Sequence, residues 1–181
     1  MLAAALGFTQ LPWYHVARGR GALVAASGGF GYQRLTWLPG LSLDVLLALN
    51  IGRVKLGPEA AWGCAGVGLL VFAAAAALGF AGWRALGPNR APAVTITEDQ
   101  TLITTGVYHL VRHPVYAASV LQFVGAGLAL QNWVLLAGSL ACFAFWKRVA
   151  DDEDRLLRRH FGQPFSDYRR QTPQLFPFAG R

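Results

Sequence analysis

In its second half the chain carries a dense cluster of polar and aromatic side chains directly before a long apolar run. The cluster contains Tyr108, Arg112, His113 and Tyr116, and Pro114 lies where a helix would begin. Polar groups at the mouth of a membrane helix are costly unless they bind something polar. The cluster therefore predicts a binding site for a small polar or charged molecule.

A second polar cluster, residues 151–155, follows the apolar run and contains Glu153 and Asp154. Carboxylates accept hydrogen bonds from ammonium and hydroxyl groups. In the first cluster, His113 or the N–H groups of the helix opened by Pro114 can hold an anion, and tyrosine faces suit a cation. Two such clusters, joined by an apolar hairpin, predict one shared site at the membrane surface.

The composition indicates a membrane protein. Of the 181 residues, 54% are hydrophobic and 14% are charged, whereas a soluble domain usually has about 25% charged residues. The net charge of +7 is typical of arginine-rich flanks on the cytoplasmic side and of contact with anionic lipid headgroups. No nucleic-acid-binding motif accompanies it. Cys64 and Cys142 lie in apolar runs and favour packing roles over a disulfide or a metal site.

The apolar runs predict the membrane-spanning elements. Residues 62–83 form the strongest span, because they begin and end with tryptophan and would cover about 33 Å as a helix. Residues 115–146 are too long for one span and are interrupted at Gln131 and Asn132, so they predict a helical hairpin. Two weaker spans are expected over residues 2–17 and 35–51. Gly125 and Gly127 would let the two hairpin helices approach closely.

We therefore predict an all-α polytopic membrane protein with about five transmembrane helices, a C-terminal helical hairpin, a cytosolic helix over residues 151–161 and an irregular tail. The chain is expected to be one membrane domain, residues 1–181, with the N-terminal spans in residues 1–83 and the loop, hairpin and C-terminal helix in residues 84–181. The arginine distribution predicts that the C-terminus lies in the cytoplasm, and the expected location is the inner membrane. No cleaved signal peptide is expected.

Between residues 84 and 178 several motifs follow one another in a fixed order: Tyr108, Arg112-His113-Pro114-x-Tyr116, Glu153-Asp154-x-x-Leu157, Phe161-Gly162, Tyr168 and Thr172-Pro173-x-Leu175-x-Pro177. This part of the chain resembles the integral-membrane methyltransferases of the isoprenylcysteine carboxyl methyltransferase and phospholipid methyltransferase superfamily. The resemblance implies S-adenosylmethionine as cofactor, held between the Arg-His-Pro-x-Tyr element and the acidic helix.

The resemblance, together with the chemistry of the individual residues, gives the candidate site. The candidate cofactor-binding residues are Tyr108, His113, Pro114, Tyr116, Glu153, Asp154, Leu157 and Tyr168. Arg112 and Glu153 are the candidate catalytic residues, with Arg112 as the cation beside a carboxylate acceptor. Methyl transfer needs no metal, and its main requirement is the positioning of the donor methyl and the nucleophile.

The expected function is S-adenosylmethionine-dependent methyl transfer to a lipid-like or small apolar acceptor at the cytoplasmic membrane face. An isoprenylcysteine carboxylate is the favoured type, while an aminophospholipid and a small thiol stay open, and the sequence does not determine the oligomeric state. Two alternatives belong to other classes. One is a nicotinamide-dependent membrane reductase, although such enzymes are much larger, and the other is a non-enzymatic membrane scaffold that keeps the fold.

Overall fold

The structure is a computed structural model that describes residues 23–26, 45, 51–90, 95–97 and 99–177. Its elements, in chain order, are strand β1 (Leu23–Ala26), helix α1 (Pro58–Leu86), a 3-10 turn (Gly87–Asn89), strand β2 (Thr95–Thr97), and helices α2 (Val107–Leu110), α3 (Pro114–Ala129), α4 (Trp133–Phe161) and α5 (Gln163–Gln171). The described part is therefore mostly helical, as predicted. Apart from residues 45 and 51, the spans expected over residues 2–17 and 35–51 lie outside the described residues, so the count of five helices stays a prediction.

Helix α1 confirms the long apolar helix predicted over residues 62–83. It begins with Pro58 in its first turn and ends before Gly87, whose φ of 49° is in the left-handed region. Its 29 residues cover about 44 Å, which exceeds the roughly 30 Å core of a bilayer. Helices α1 and α4 are both long and apolar enough to cross a membrane.

The predicted hairpin is also confirmed, with its turn at Gln131 and Asn132. Asn132 caps α4, because its side-chain Oδ1 accepts from the backbone N–H groups of Val134 at 3.0 Å and Leu135 at 3.2 Å. Its amide donates to the carbonyl of Ile51 at 2.7 Å. The hairpin turn therefore packs against the segment that precedes α1, at the end of the bundle away from the polar clusters.

Helix α4 does not end with the apolar run, so the prediction of a separate helix over residues 151–161 is wrong. The helix is continuous for 29 residues, about 44 Å. No helix-breaking residue occurs between Lys147 and Asp151, and these two side chains form an ion pair one turn apart at 2.6 Å. The second polar cluster consequently lies on a rigid extension of the hairpin itself.

The prediction of an irregular tail after residue 162 is wrong for residues 163–171, which form α5, whereas residues 172–177 contain no helix or strand. Gly162, with a φ of 62°, ends α4, and Pro164 in the following turn starts α5. Phe165 anchors α5 because its side chain is fully buried. The proline therefore begins a helix at this position, whereas the sequence interpretation took it as a sign of irregular structure.

Strands β1 and β2 form a small antiparallel pair. Strand β2 lies in the loop that follows α1. Strand β1 lies between the two expected N-terminal spans in the sequence, and its pairing with β2 places residues 23–26 beside the loop that follows α1.

Helices α1 and α3 pack closely and run antiparallel. The buried residues of α1 recur every seventh position, at Gly68, Ala75 and Gly82. A Cβ atom on Gly68 would lie 2.2 Å from the backbone nitrogen of Ala129, near the end of α3. A Cβ atom on Gly82 would lie 3.0 Å from Pro114, at the start of α3. Small residues therefore set the distance between these helices.

The glycines of α3 do not all serve the hairpin. A Cβ atom on Gly127 would lie 2.8 Å from Leu136 of α4, as the predicted close approach requires. A Cβ atom on Gly125, in contrast, would lie 2.6 Å from the backbone nitrogen of Phe72 in α1. The role predicted for Gly125 is therefore wrong, because α1 and not α4 covers this face of α3.

A Gly68→Ala variant is expected to be destabilised by about 1–3 kcal/mol, because the added methyl group must push α1 away from α3. Gly66→Ala is the matched control on the same helix, since a Cβ atom there meets no atom of the described residues within 4 Å. Thermal unfolding of both variants in detergent measures the difference. Equal midpoints would contradict the close packing at Gly68.

Candidate functional site

The two polar clusters are in direct contact where α3 begins and α4 leaves the apolar part of the bundle. His113 is the residue directly before α3, and its Nε2 lies 2.9 Å from Asp154 Oδ1. The Tyr116 hydroxyl, one turn further along α3, donates to Glu153 Oε2 at 2.5 Å. Because α3 and α4 are the two arms of one hairpin, the turn at its other end brings these residues together.

Arg112 and Asp154 form a buried ion pair. Arg112 Nη2 lies 2.7 Å from Asp154 Oδ2, and each side chain is only 7% exposed. Arg112 Nη1 also donates to the backbone carbonyls of Arg169, at 3.3 Å, and Thr172. A buried ion pair is tolerated when further hydrogen bonds satisfy both charges. The guanidinium therefore connects the segment before α3 to α4, to the end of α5 and to the residues that follow α5.

The hydrogen-bonding capacity of Asp154 is filled by protein groups. Its oxygens accept from Arg112, from His113 Nε2 and from the amide of Gln174 at 3.0 Å, and a carboxylate offers about four lone-pair positions. An ionised carboxylate can only accept, so His113 carries a hydrogen on Nε2. Asp154 thus organises the site and has no evident position left for a ligand.

Glu153 differs from the carboxylates around it. Three of the four carboxylates in residues 151–154 are each paired with a lysine or arginine: Asp151 with Lys147, Asp152 with Arg155, and Asp154 with Arg112. Among the described residues Glu153 has no such partner, and its nearest basic group is His113 Nδ1 at 3.8 Å. Its Oε1 receives no hydrogen bond from the described residues. Within residues 151–154, Glu153 is therefore the carboxylate that has no lysine or arginine partner among the described residues.

An aromatic stack supports this carboxylate. The ring of Tyr116 is parallel to the His113 ring at 5.3 Å and to the Trp146 ring at 4.4 Å. Stacking on both rings restrains Tyr116, so its hydroxyl is held in place to orient Glu153. Trp146 was not among the candidate site residues. Its position seven residues before Glu153, two turns earlier on the same helix face, is the signal that could have identified it.

Tyr108 and Tyr168 use their hydroxyls within the protein. Tyr168 donates to the backbone carbonyl of Tyr108 at 2.5 Å, and Tyr108 donates to the carbonyl of Gly82 at 3.4 Å. Burial, the largest effect, raises the pKa of both phenols well above the usual value. Both therefore stay protonated donors that tie α5 to α2 and α2 to α1.

Leu157 and Pro114 also have packing roles. Leu157 is partly buried against the hydrophobic core, and Pro114 is fully buried at the start of α3. Among the described residues, no group of three or more histidine, cysteine, aspartate and glutamate side chains is arranged to hold a metal ion. Of the predicted site residues, those whose polar side-chain groups face one another are thus Arg112, His113, Tyr116, Glu153 and Asp154.

Gln174 is a site residue that the sequence did not indicate. Its side-chain amide donates to Asp151 Oδ1 at 2.9 Å and to Asp154 Oδ2 at 3.0 Å. Its backbone carbonyl accepts from the backbone N–H of His113 at 3.0 Å. A lone glutamine between prolines carries no pattern from which these three contacts could be predicted.

Comparison with known families adds an independent observation. The family model for phospholipid methyltransferase matches residues 64–164, which include α3 and the carboxylates of α4. The chain is 40% identical over 81 residues to a nickel-cobalt-cadmium resistance protein of Alcaligenes xylosoxydans xylosoxydans. It is 31% identical over 83 residues to the protein-S-isoprenylcysteine O-methyltransferase of Xenopus laevis. These matches cover 44% and 45% of this chain and 38% and 29% of the respective relatives.

A solved structure shares the fold. The eukaryotic intramembrane Ras methyltransferase ICMT (isoprenylcysteine carboxyl methyltransferase) superposes with a TM-score of 0.61 and 20% sequence identity. The superposition covers 97% of this chain and 74% of that protein. At this identity the likeness concerns the arrangement of helices.

Proposed function

Because the chain belongs to the phospholipid methyltransferase family, we propose that it is a membrane methyltransferase that uses S-adenosylmethionine. The observation that carries this proposal is Glu153, a carboxylate without a lysine or arginine partner among the described residues, held by Tyr116 inside an otherwise charge-paired cluster. Such a group suits a ligand with a positive charge.

The residues present fit this cofactor. S-adenosylmethionine carries a sulfonium, an ammonium, a carboxylate and a ribose diol, and its net charge is positive. Glu153 Oε1 would accept a hydrogen bond from the ammonium or a ribose hydroxyl. The aromatic groups around Tyr116 would suit the sulfonium. When bound, the cofactor would supply a methyl group that is activated towards nucleophiles by the sulfonium charge.

The side chains of the site then have distinct roles. Glu153 binds the cationic ligand, and Tyr116 orients Glu153 through its hydroxyl. Asp154 and Arg112 hold the start of α3 against α4. Since positioning is the main contribution to methyl transfer, this rigid frame supports the reaction. The contacts of Arg112 favour such a positioning role over the direct catalytic role that the sequence suggested.

We propose a lipid-like or small apolar acceptor, with an isoprenylcysteine carboxylate as the favoured type. Relatives that are named protein-S-isoprenylcysteine O-methyltransferase support this choice. Leu110, which is 60% exposed, lies two residues before Arg112, so an exposed apolar side chain lies near the polar site in the sequence. An acceptor in the bilayer would approach from that side. We further propose that the site faces the cytoplasm at the inner membrane, with the C-terminus inside.

Thermal unfolding of the purified protein with added ligands tests the cofactor assignment. S-adenosylmethionine is expected to stabilise the fold by about 2.7 kcal/mol at a concentration 100 times its Kd, and NADPH is expected to have no effect. Transfer of a labelled methyl group to farnesylcysteine, phosphatidylethanolamine or a small thiol then identifies the acceptor. Stabilisation by NADPH alone would support the reductase, and stabilisation by neither ligand would support the scaffold.

A further inference from the structure

We propose that Gln174 is a positioning residue, and that its neutral amide fastens the C-terminal tail to the cofactor site. The inference rests on the proposed function, because it concerns how the S-adenosylmethionine site is held together. It assigns the tail after α5 a defined part in that site.

Gln174 is attached to both arms of the hairpin. Its backbone carbonyl accepts from the N–H of His113, at the start of α3, at 3.0 Å. Its side chain reaches α4, where the two hydrogens of one amide nitrogen are shared between Asp151 Oδ1 at 2.9 Å and Asp154 Oδ2 at 3.0 Å. One residue of the tail therefore connects the two helices that carry the site.

The neighbouring residues of the tail strengthen this connection. The carbonyl of Pro173 accepts from the backbone N–H of Arg112 at 2.9 Å, and the carbonyl of Thr172 accepts from the Arg112 guanidinium. Three consecutive tail residues thus contact the segment that opens α3. Displacement of the tail would break its hydrogen bonds to Arg112, His113 and Asp154 at the same time.

The amide must be neutral for this contact to form. Asp151 and Asp154 lie one helical turn apart, and Gln174 donates to both carboxylates. A carboxylate in its place would have the same shape, but it would put a third negative charge within hydrogen-bonding distance of two others. Repulsion between like charges would then push the tail away from α4.

The Gln174→Glu variant tests this proposal because it keeps the shape and changes the charge. We expect its Kd for S-adenosylmethionine to rise about 10- to 100-fold, as hydrogen bonds to charged groups are lost and repulsion is added. Gln174→Ala should weaken binding less, because it adds no charge. A role in packing alone predicts the opposite order, with alanine the more harmful substitution.

Gln163→Glu is the matched control. Gln163 also donates its amide to an aspartate, Asp167 Oδ1 at 3.0 Å, but on the exposed surface of α5. Solvent screens the added charge there, so we expect a change in Kd of less than about twofold.

The pH dependence of Gln174→Glu gives a second readout. Protonation of the introduced carboxyl restores a donor, so the defect should shrink as the pH falls from 8 towards 5.5, relative to Gln174→Ala. The charged and titratable groups around this position are Lys147, Asp151, Glu153 and Asp154 of α4 and Arg112 and His113 at the start of α3. They are common to both variants, so the comparison isolates the new carboxyl.

Amide hydrogen exchange separates failure of this proposal from failure of the proposed function. The N–H groups of Arg112 and His113 donate to the tail, so they should exchange faster in Gln174→Glu, whether or not the protein binds S-adenosylmethionine. Unchanged exchange and unchanged Kd would overturn the role of Gln174 while the cofactor assignment stands. Faster exchange in a protein whose parent form does not bind S-adenosylmethionine would overturn the cofactor assignment and leave the tail contact supported.

Discussion

An Asp154→Ala variant is expected to lose about 3–5 kcal/mol of folding free energy, because Arg112 would remain buried without its counter-charge. The two side chains are 7% exposed and 2.7 Å apart. The variant also removes the acceptor for His113 and for Gln174. The carboxylates of Asp151 and Asp152 are not free to replace it, since they already pair with Lys147 and Arg155.

Chemical or thermal unfolding in detergent measures this loss, and Asp167→Ala is the control. Asp167 pairs with Arg170 at 2.9 Å, but the side chains are 53% and 69% exposed, so its removal should cost less than about 1 kcal/mol. Equal losses in the two variants would show that the Arg112–Asp154 pair is not the buried link that we describe.

A Glu153→Gln variant is expected to bind S-adenosylmethionine about 10- to 100-fold more weakly while keeping its stability, because one hydrogen bond to a charged group is reduced to a neutral one. The substituted amide has nearly the same shape, and its oxygen still accepts from Tyr116. Since Glu153 has no lysine or arginine partner among the described residues, its neutralisation leaves no such cation unpaired.

Isothermal titration calorimetry measures the Kd for S-adenosylmethionine, and Asp152→Asn, one residue earlier, is the control. Asp152 already pairs with Arg155, so its variant should bind like the parent within about threefold. S-adenosylhomocysteine, which lacks the sulfonium charge, separates attraction to the sulfonium from hydrogen bonding to groups that the two molecules share. Unchanged affinity in Glu153→Gln would rule out Glu153 as the group that recognises the cation.

These two predictions follow from the different hydrogen-bonding partners of two adjacent carboxylates, Glu153 and Asp154. In the sequence both residues are candidates for cofactor binding, as a Glu-Asp pair at the surface end of a helix, and Glu153 is also a catalytic candidate. In the structure, Asp154 is saturated by protein donors, whereas Glu153 has one. Loss of Asp154 should therefore damage the fold first, and loss of Glu153 should damage binding first.

Several features could be predicted because they depend on residues close together in the chain. The length of the apolar runs predicted α1 and the hairpin, and the polar pair Gln131-Asn132 identified the turn. A hairpin returns its ends to the same side, so the contact between the His113 and Glu153 clusters followed from the positions of two apolar segments. The motif resemblance pointed to the same residues.

The sequence interpretation failed where local signals were ambiguous. The change from apolar to charged residues after Trp146 looked like the end of a helix, although a change in polarity does not interrupt backbone hydrogen bonding. Pro164 looked like a mark of irregular structure, although proline is also well suited to the first turn of a helix. In both places the backbone is helical: α4 continues beyond Trp146, and α5 begins at Gln163.

The sequence by itself determined the apolar helices, the hairpin and the two polar clusters, because hydrophobic length and turn chemistry act between near neighbours. Only the tertiary structure decided which carboxylate is satisfied, which helix Gly125 contacts, and that Gln174 lies between Asp151 and Asp154. Each donor hydrogen and each acceptor lone pair can serve only one hydrogen bond, and the groups that compete for them here come from distant parts of the chain. That assignment is a property of the packed molecule, so no stretch of neighbouring residues contains it.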